Sequence, residues 1–177
     1  MRDSPDGVRR ELEFLINGFD FYGHKERLRE DDRLVRERAA HSLVAAAEAV
    51  RRAEQESRRR LPPSTREQPF PPPDRMAIVR DLGELARAVG DAEGRLRALP
   101  YPHADRTWAR LQTESIVLEL LLEHDLALVM AADAVRDAAA AMGGEPSAMT
   151  LAAARNALVR FEHALRERSA DQEPMLG

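Results

Sequence analysis

The sequence predicts an all-α fold, an antiparallel bundle of four long helices with a short leading helix, and three observations carry that expectation. Alanine is abundant while aromatic residues make up 5% of the chain, so a core has to be assembled from small and aliphatic side chains packed closely. Charges recur at three- and four-residue intervals, leaving apolar stripes of helical period. No segment alternates apolar and polar residues in the two-residue period of a strand.

The elements follow in order. Pro5 suits a first helical turn, and Val8, Leu12, Leu15 and Ile16 fall on one stripe, giving a short helix over residues 5–17. The stretch "NGFDFYGH" interrupts it. Asn17, Gly18 and Gly23 are turn residues, and Phe19, Phe21 and Tyr22 form an aromatic cluster expected to plug the end of the bundle. From Lys25 to Arg60 one long helix is predicted by Leu28, Val35, Ala39, Leu43, Ala46, Val50 and Ala53. Residues 61–74 hold six prolines from Pro62 to Pro73 and read as the one long connection, able to cross the end of the bundle.

Asp74 can cap the next helix, whose stripe runs Ile78, Leu82, Leu85, Val89, Ala92, Leu96 and Leu99. After "PYPHAD" a central helix is expected over residues 105–142, stopping at Gly143 and Gly144 in a left-handed cap. The last helix starts near Ser147 or Thr150 and aligns Leu151, Ala154, Leu158, Phe161 and Leu165. One domain is expected over residues 1–168, with residues 169–177 as a flexible tail. The core is expected to contain Leu82, Leu85, Val89, Trp108, Leu118, Leu122, Val129, Leu158 and Phe161.

Composition narrows the function. A chain without cysteine has no thiolate metal site, disulfide or cysteine nucleophile, and the default setting is the cytoplasm. Twenty residues at the start carry Arg9, Arg10, Glu11, Glu13 and Asp20 and do not read as a signal peptide. A formal net charge of −4 lacks the whole-chain basic footprint of a nucleic-acid binder, so nucleic acid is not an expected partner. No phosphate-binding glycine loop, Gly-x-Ser-x-Gly elbow or His-Glu-x-x-His motif is present. The run Arg51, Arg52, Arg58, Arg59 and Arg60, interrupted by Glu54 and Glu56, could grip phosphate, but with no aromatic residue interleaved for base stacking it is expected to be a solvated helix end.

The central helix is the puzzle. "ESIVLELLLEHDLALVMAADAV", residues 114–135, is the most apolar stretch, yet it contains Glu119, Glu123, His124, Asp125 and Asp133. These ionisable groups argue against a membrane span. On a helical wheel Leu111, Leu118, Leu122 and Val129 lie together, flanked by Leu121 and Leu128 and extended by Val117, Leu120 and Val135. Glu119, Glu123 and Asp137 share the narrow remaining strip, a solvent line. Asp125 and Glu114 fall among the leucines, so each is expected either to pair with an arginine of a neighbouring helix or to sit at a subunit interface. Glu119, Glu123 and His124 are weak metal candidates. A carboxylate-bridged dimetal bundle needs Glu-x-x-His, and no histidine in the chain has a glutamate three residues before it, so no cofactor is expected.

A helix apolar on nearly every side needs more neighbours than a small bundle supplies. The expected function is therefore a non-enzymatic interaction or assembly module, with a face of Val117, Leu120, Leu121, His124, Asp125 and Leu128 meeting a protein partner or another copy. The alternatives are a metal- or cofactor-holding bundle and a small nucleic-acid-associated subunit.

Overall fold

The computed structural model describes residues 5–172 apart from residues 64, 102, 114 and 144, and among these there are six α-helices and no strand. The short α1 spans Pro5–Leu15. A single 3₁₀ turn, Lys25–Arg27, leads into α2, Leu28–Arg59; α3 is Pro73–Ala98, α4 is Ala104–Thr113, α5 is Ser115–Ala140 and α6 is Ala148–Gln172.

Four of these helices are long, of 32, 26, 26 and 25 residues, and they form one core. Around the bundle the order is α3, α2, α5, α6, with α3 and α6 meeting along the loosest side. Arg36 binds the Leu99 and Pro100 carbonyls while Glu54 lies beside Gly83, so α2 and α3 run antiparallel. Arg38 meets Asp133 near the start of α2 and Arg60 meets Glu145 near its end, so α2 and α5 run parallel. The short turn after α5 returns α6 antiparallel to it. It follows that α3 and α6 are parallel too, bridged by the ion pairs Arg155–Asp81 and Arg95–Glu162.

This wiring corrects one expectation. The proline-rich segment joins α2 to its immediate antiparallel neighbour α3, so it does not cross the bundle; the diagonal connection is the one that follows α3 and leads into α4 and α5. The predicted central helix is helical on both sides of residue 114, as α4 and α5, and α4 lies against the 3₁₀ turn. Trp108 and Leu118, expected in the core, are only half-buried; the other seven expected core residues are buried.

The termini of the helices have local causes. Asp74 lies in the first turn of α3 without capping it, since Pro72 occupies the cap and Pro73 the first position, where its missing N–H costs nothing. Gly143 ends α5 with φ of +50°, the left-handed value that glycine adopts without a side-chain clash, while Gly144 lies outside the described residues. Ser147 and Thr150 bond reciprocally: the Thr150 N–H donates to Ser147 Oγ at 3.2 Å and the Ser147 N–H to Thr150 Oγ1 at 2.9 Å, which fixes the start of α6. That helix continues to Gln172, past Ser169, where the tail was expected to begin.

The interior is alanine-rich where helices approach closely. Ala39, Ala40, Ala46, Ala47 and Ala53 on α2 and Ala132 and Ala139 on α5 are all buried, and small side chains permit interaxial distances near the low end of the usual ~8–10 Å. Larger residues, Phe161, Leu12, Leu43, Leu82, Leu96 and Leu128, fill the remaining volume.

Candidate functional site

The densest group of ionisable side chains lies inside the bundle, at the end where α2 and α5 begin and α3 and α6 stop. Arg168, from the last turns of α6, is fully buried. Its Nε donates to Asp125 Oδ1 at 2.6 Å and its Nη2 to Asp32 Oδ1 at 2.8 Å, so one guanidinium clamps carboxylates of α5 and α2. Asp32 also faces Arg36 at 2.7 Å, one turn along α2. Arg36 extends the chain of contacts outward by donating to the Leu99 and Pro100 carbonyls beyond α3 and by stacking 4.7 Å from the Tyr101 ring.

The aromatic loop closes this cluster. Tyr22 Oη donates to Asp125 Oδ2 at 2.7 Å. Asp31 accepts the N–H groups of Asp20 at 3.1 Å and Tyr22 at 2.9 Å, pinning the loop backbone to the first turn of α2. Phe21 and Tyr22 have φ of +53° and +57°, a conformation that residues with a side chain rarely adopt and that persists where surrounding contacts impose it. Those contacts are present: the Phe19 ring meets Phe21 at 5.1 Å and Tyr22 at 5.4 Å, edge to face, and Phe19 and Tyr22 are buried. The loop is the plug expected from its composition.

Burial sets the electrostatics. Loss of water pushes the Asp125 carboxyl above its ordinary value even though Arg168 and the Tyr22 hydroxyl favour its charge. Burial also raises the Tyr22 phenol, helped by the Asp125 charge. Arg168 stays protonated because Asp125 and Asp32 outweigh the cost of burial. Asp133 behaves oppositely. Burial pushes it up, but Arg38, with two bonds of 2.9 and 2.7 Å, and the Ser42 hydroxyl outweigh that and hold it below the ordinary value.

The signs lead to a measurable contrast. Asp133 contributes stability above the ordinary aspartate value of 3.8 that is lost as pH falls through its lower folded value. Asp125 contributes stability below 3.8 that is lost as pH rises through its higher folded value. Carboxyl-carbon NMR titration is expected to show the two midpoints on opposite sides of 3.8; both midpoints below it would contradict the buried geometry of Asp125.

No known protein family, curated protein or solved structure matches the chain.

The cluster's chemistry is thus read from its geometry alone. Asp32, Asp125 and Arg168 have no exposed surface, so no substrate reaches them without opening the bundle. An arginine already occupies the position between the two carboxylates where a cation would sit. The arrangement is a structural clamp that ties α2, α5, α6 and the aromatic loop in one register.

The sequence-predicted residues separate into three groups. Asp125 pairs with an arginine of a neighbouring helix, the first of its two expected fates; Glu114 lies outside the described residues. Leu121 and Leu128 are corrected from interface to core, at 3% and 0% exposure, and Val117 is buried as well. The physical reason is neighbours: α1 lies against α5 in addition to α2 and α6. Leu120 and His124 are half-buried. The weak metal candidates Glu119, Glu123 and His124 do not converge, and among the described residues no three ligating side chains are placed to hold a metal ion. Glu119 is exposed and Glu123 half-buried on the expected solvent line.

Tyr22, Asp31, Asp32, Arg36 and Arg168 were not singled out from sequence as partners, although a signal exists. Arg168 continues the α6 stripe at the spacing Leu151, Ala154, Leu158, Phe161, Leu165, Arg168, and Asp32 sits between Leu28 and Val35 in the α2 stripe. Each is a charge at a core position.

Proposed function

We propose that the protein is a non-enzymatic interaction module that receives a helix of a partner protein along the outer face of α5. The observation that supports this reading is a solvent-facing seam of Ile116, Leu120, Glu123, Ala127, Met130, Ala134, Asp137 and Ala141, spaced four, three, four, three, as along a helix-pairing stripe. Ile116 and Met130 are 62% and 50% exposed, unusual for residues of their type. Alanines between them let another helix approach closely.

The charge on this face favours one partner. Glu119 and Glu123 give the first half of the seam negative charge, while Asp137 is paired with Arg136, so two copies paired through that half would bring like charges together, whereas a helix carrying arginine or lysine at matching positions would be steered onto it. The inaccessibility of the buried cluster supports the non-enzymatic part of the reading. No described helix is long and apolar enough to cross a membrane, and the reading keeps the cytoplasmic setting expected from the sequence.

The test is a partner captured from the cells that make the protein and then rebuilt from purified components. Met130→Glu, at an exposed position, is expected to weaken that reconstituted complex at least tenfold, about 1.4 kcal/mol, while leaving the helix content unchanged. Sedimentation runs alongside. A protein that self-associates through this seam would overturn the heteromeric reading, as would any reconstituted partner whose affinity ignores Ile116, Ala127 and Met130.

A further inference from the structure

The arginine run at the end of α2 divides between two faces once the helix is folded. Arg52, Arg59 and Arg60 form ion pairs with Glu48 and Glu56 of their own helix. Arg51 and Arg58, two turns apart, line a shallow trough between α2 and α3 together with Arg80 and Arg87, also two turns apart, although Arg58 pairs with Glu54 of its own helix as well. The antiparallel register that puts Glu54 beside Gly83 sets Arg51 opposite Arg87 and Arg58 opposite Arg80. Seven residues of helix rise ~10 Å, and neighbouring axes lie ~8–10 Å apart. The four arginine positions therefore mark the corners of a patch roughly as wide as it is long.

The floor of the trough is made of the buried residues Val79 and Ala86 and of Gly83, where an added Cβ would come within 3.4 Å of Glu54 Oε1. Among the lining residues Glu54 is the sole carboxylate, and it is engaged by Arg58 at 2.8 and 3.0 Å. Arg51, Arg80 and Arg87 form no ion pair among the described residues. Cations gathered in this way repel one another, and an anion between them relieves the repulsion. No aromatic ring lines the trough, so it offers no stacking surface to a base.

We propose that this trough binds a short oligophosphate, a chain of two or more phosphoryl groups, free or as the phosphate tail of a nucleotide. Its oxygens are numerous enough to meet guanidinium forks from both helices at once, which a single carboxylate or chloride is not. The site is separate from the α5 seam and stands whether or not a partner helix binds there.

Calorimetric titration of the whole chain with inorganic tripolyphosphate at about 50 mM salt, where screening is weak, tests the proposal. Saturable one-to-one binding is expected. It should weaken at least tenfold in the Arg80→Ala/Arg87→Ala double variant, with Arg51→Gln as a second, single change; all three positions are exposed, so the fold should be retained by circular dichroism. The charge-matched Arg52→Ala/Arg59→Ala control should stay within about threefold, since those residues lie outside the trough. ATP binding as tightly as tripolyphosphate would assign recognition to the phosphate chain alone, and ATP binding tenfold tighter would assign it to a nucleotide. Absence of saturable binding, or equal weakening in both double variants, would overturn the proposal. So would single-stranded oligonucleotides that displace tripolyphosphate with affinity climbing with length, the mark of a nucleic-acid surface.

Discussion

Replacing Arg168 with alanine is expected to cost about 3–5 kcal/mol of stability, lowering the thermal midpoint by roughly 10 °C or more in a chain of this size. The cause is less the loss of two hydrogen bonds than what remains: Asp125 and Asp32, both without exposed surface, lose the cation between them. Arg168→Lys should recover only part of the loss, because one ammonium cannot repeat the Nε and Nη2 geometry that reaches both carboxylates. Asp125→Leu combined with Arg168→Met should regain much more, since both charges leave together and Asp32 keeps Arg36. Urea unfolding of the three variants checks this order. A loss below about 1 kcal/mol for Arg168→Ala, in the range of a solvent-screened pair, would refute the clamp.

Leu128→Asp is expected to abolish the cooperative fold, while Ala127→Asp one residue away should change stability by less than about 1 kcal/mol. Leu128 is fully buried within the apolar core; an ionised carboxylate there costs several kcal/mol, comparable with the ~5–15 kcal/mol that holds a typical domain together. Ala127 is exposed on the outer seam. Near-ultraviolet circular dichroism and urea unfolding distinguish the two. A folded Leu128→Asp protein with altered assembly would restore Leu128 to an interface and contradict its place in the core.

The all-helical class, the positions of most helices and the aromatic plug were legible because they depend on local period and on turn chemistry. Leu82, Leu85, Val89, Leu158 and Phe161 follow from stripes that have only one way to be buried. The number of neighbours around α5 was not legible. Nothing within residues 114–135 states that α1 will fold back against them, or that the connection after α3 rather than the prolines makes the diagonal crossing. Those are properties of how distant segments meet.

The buried cluster lies between these cases. Its members stand at core positions of three stripes, so each could be marked from sequence as a charge needing a partner. Which acid met which base depended on the helices' relative direction. Arg168 lies 43 residues from Asp125 and 136 from Asp32, separations over which helical period carries no information.

The direction of the helices also gives this end of the bundle a polarity. Because α2 and α5 run together and α3 and α6 return together, the positive N-terminal end of the α2 dipole lies near the negative C-terminal ends of α3 and α6. Alternating neighbours would have cancelled that field; paired neighbours create a gradient across the width of the protein. Asp31 and Asp32 sit at the N-terminal end of α2, Arg168 near the C-terminal end of α6, and Arg36 reaches the last carbonyls of α3. Asp31, Asp32 and Arg168 are therefore placed with the backbone field. An exchanged pair, with arginine where aspartate stands and aspartate where arginine stands, would keep the same partners and oppose that field at both ends.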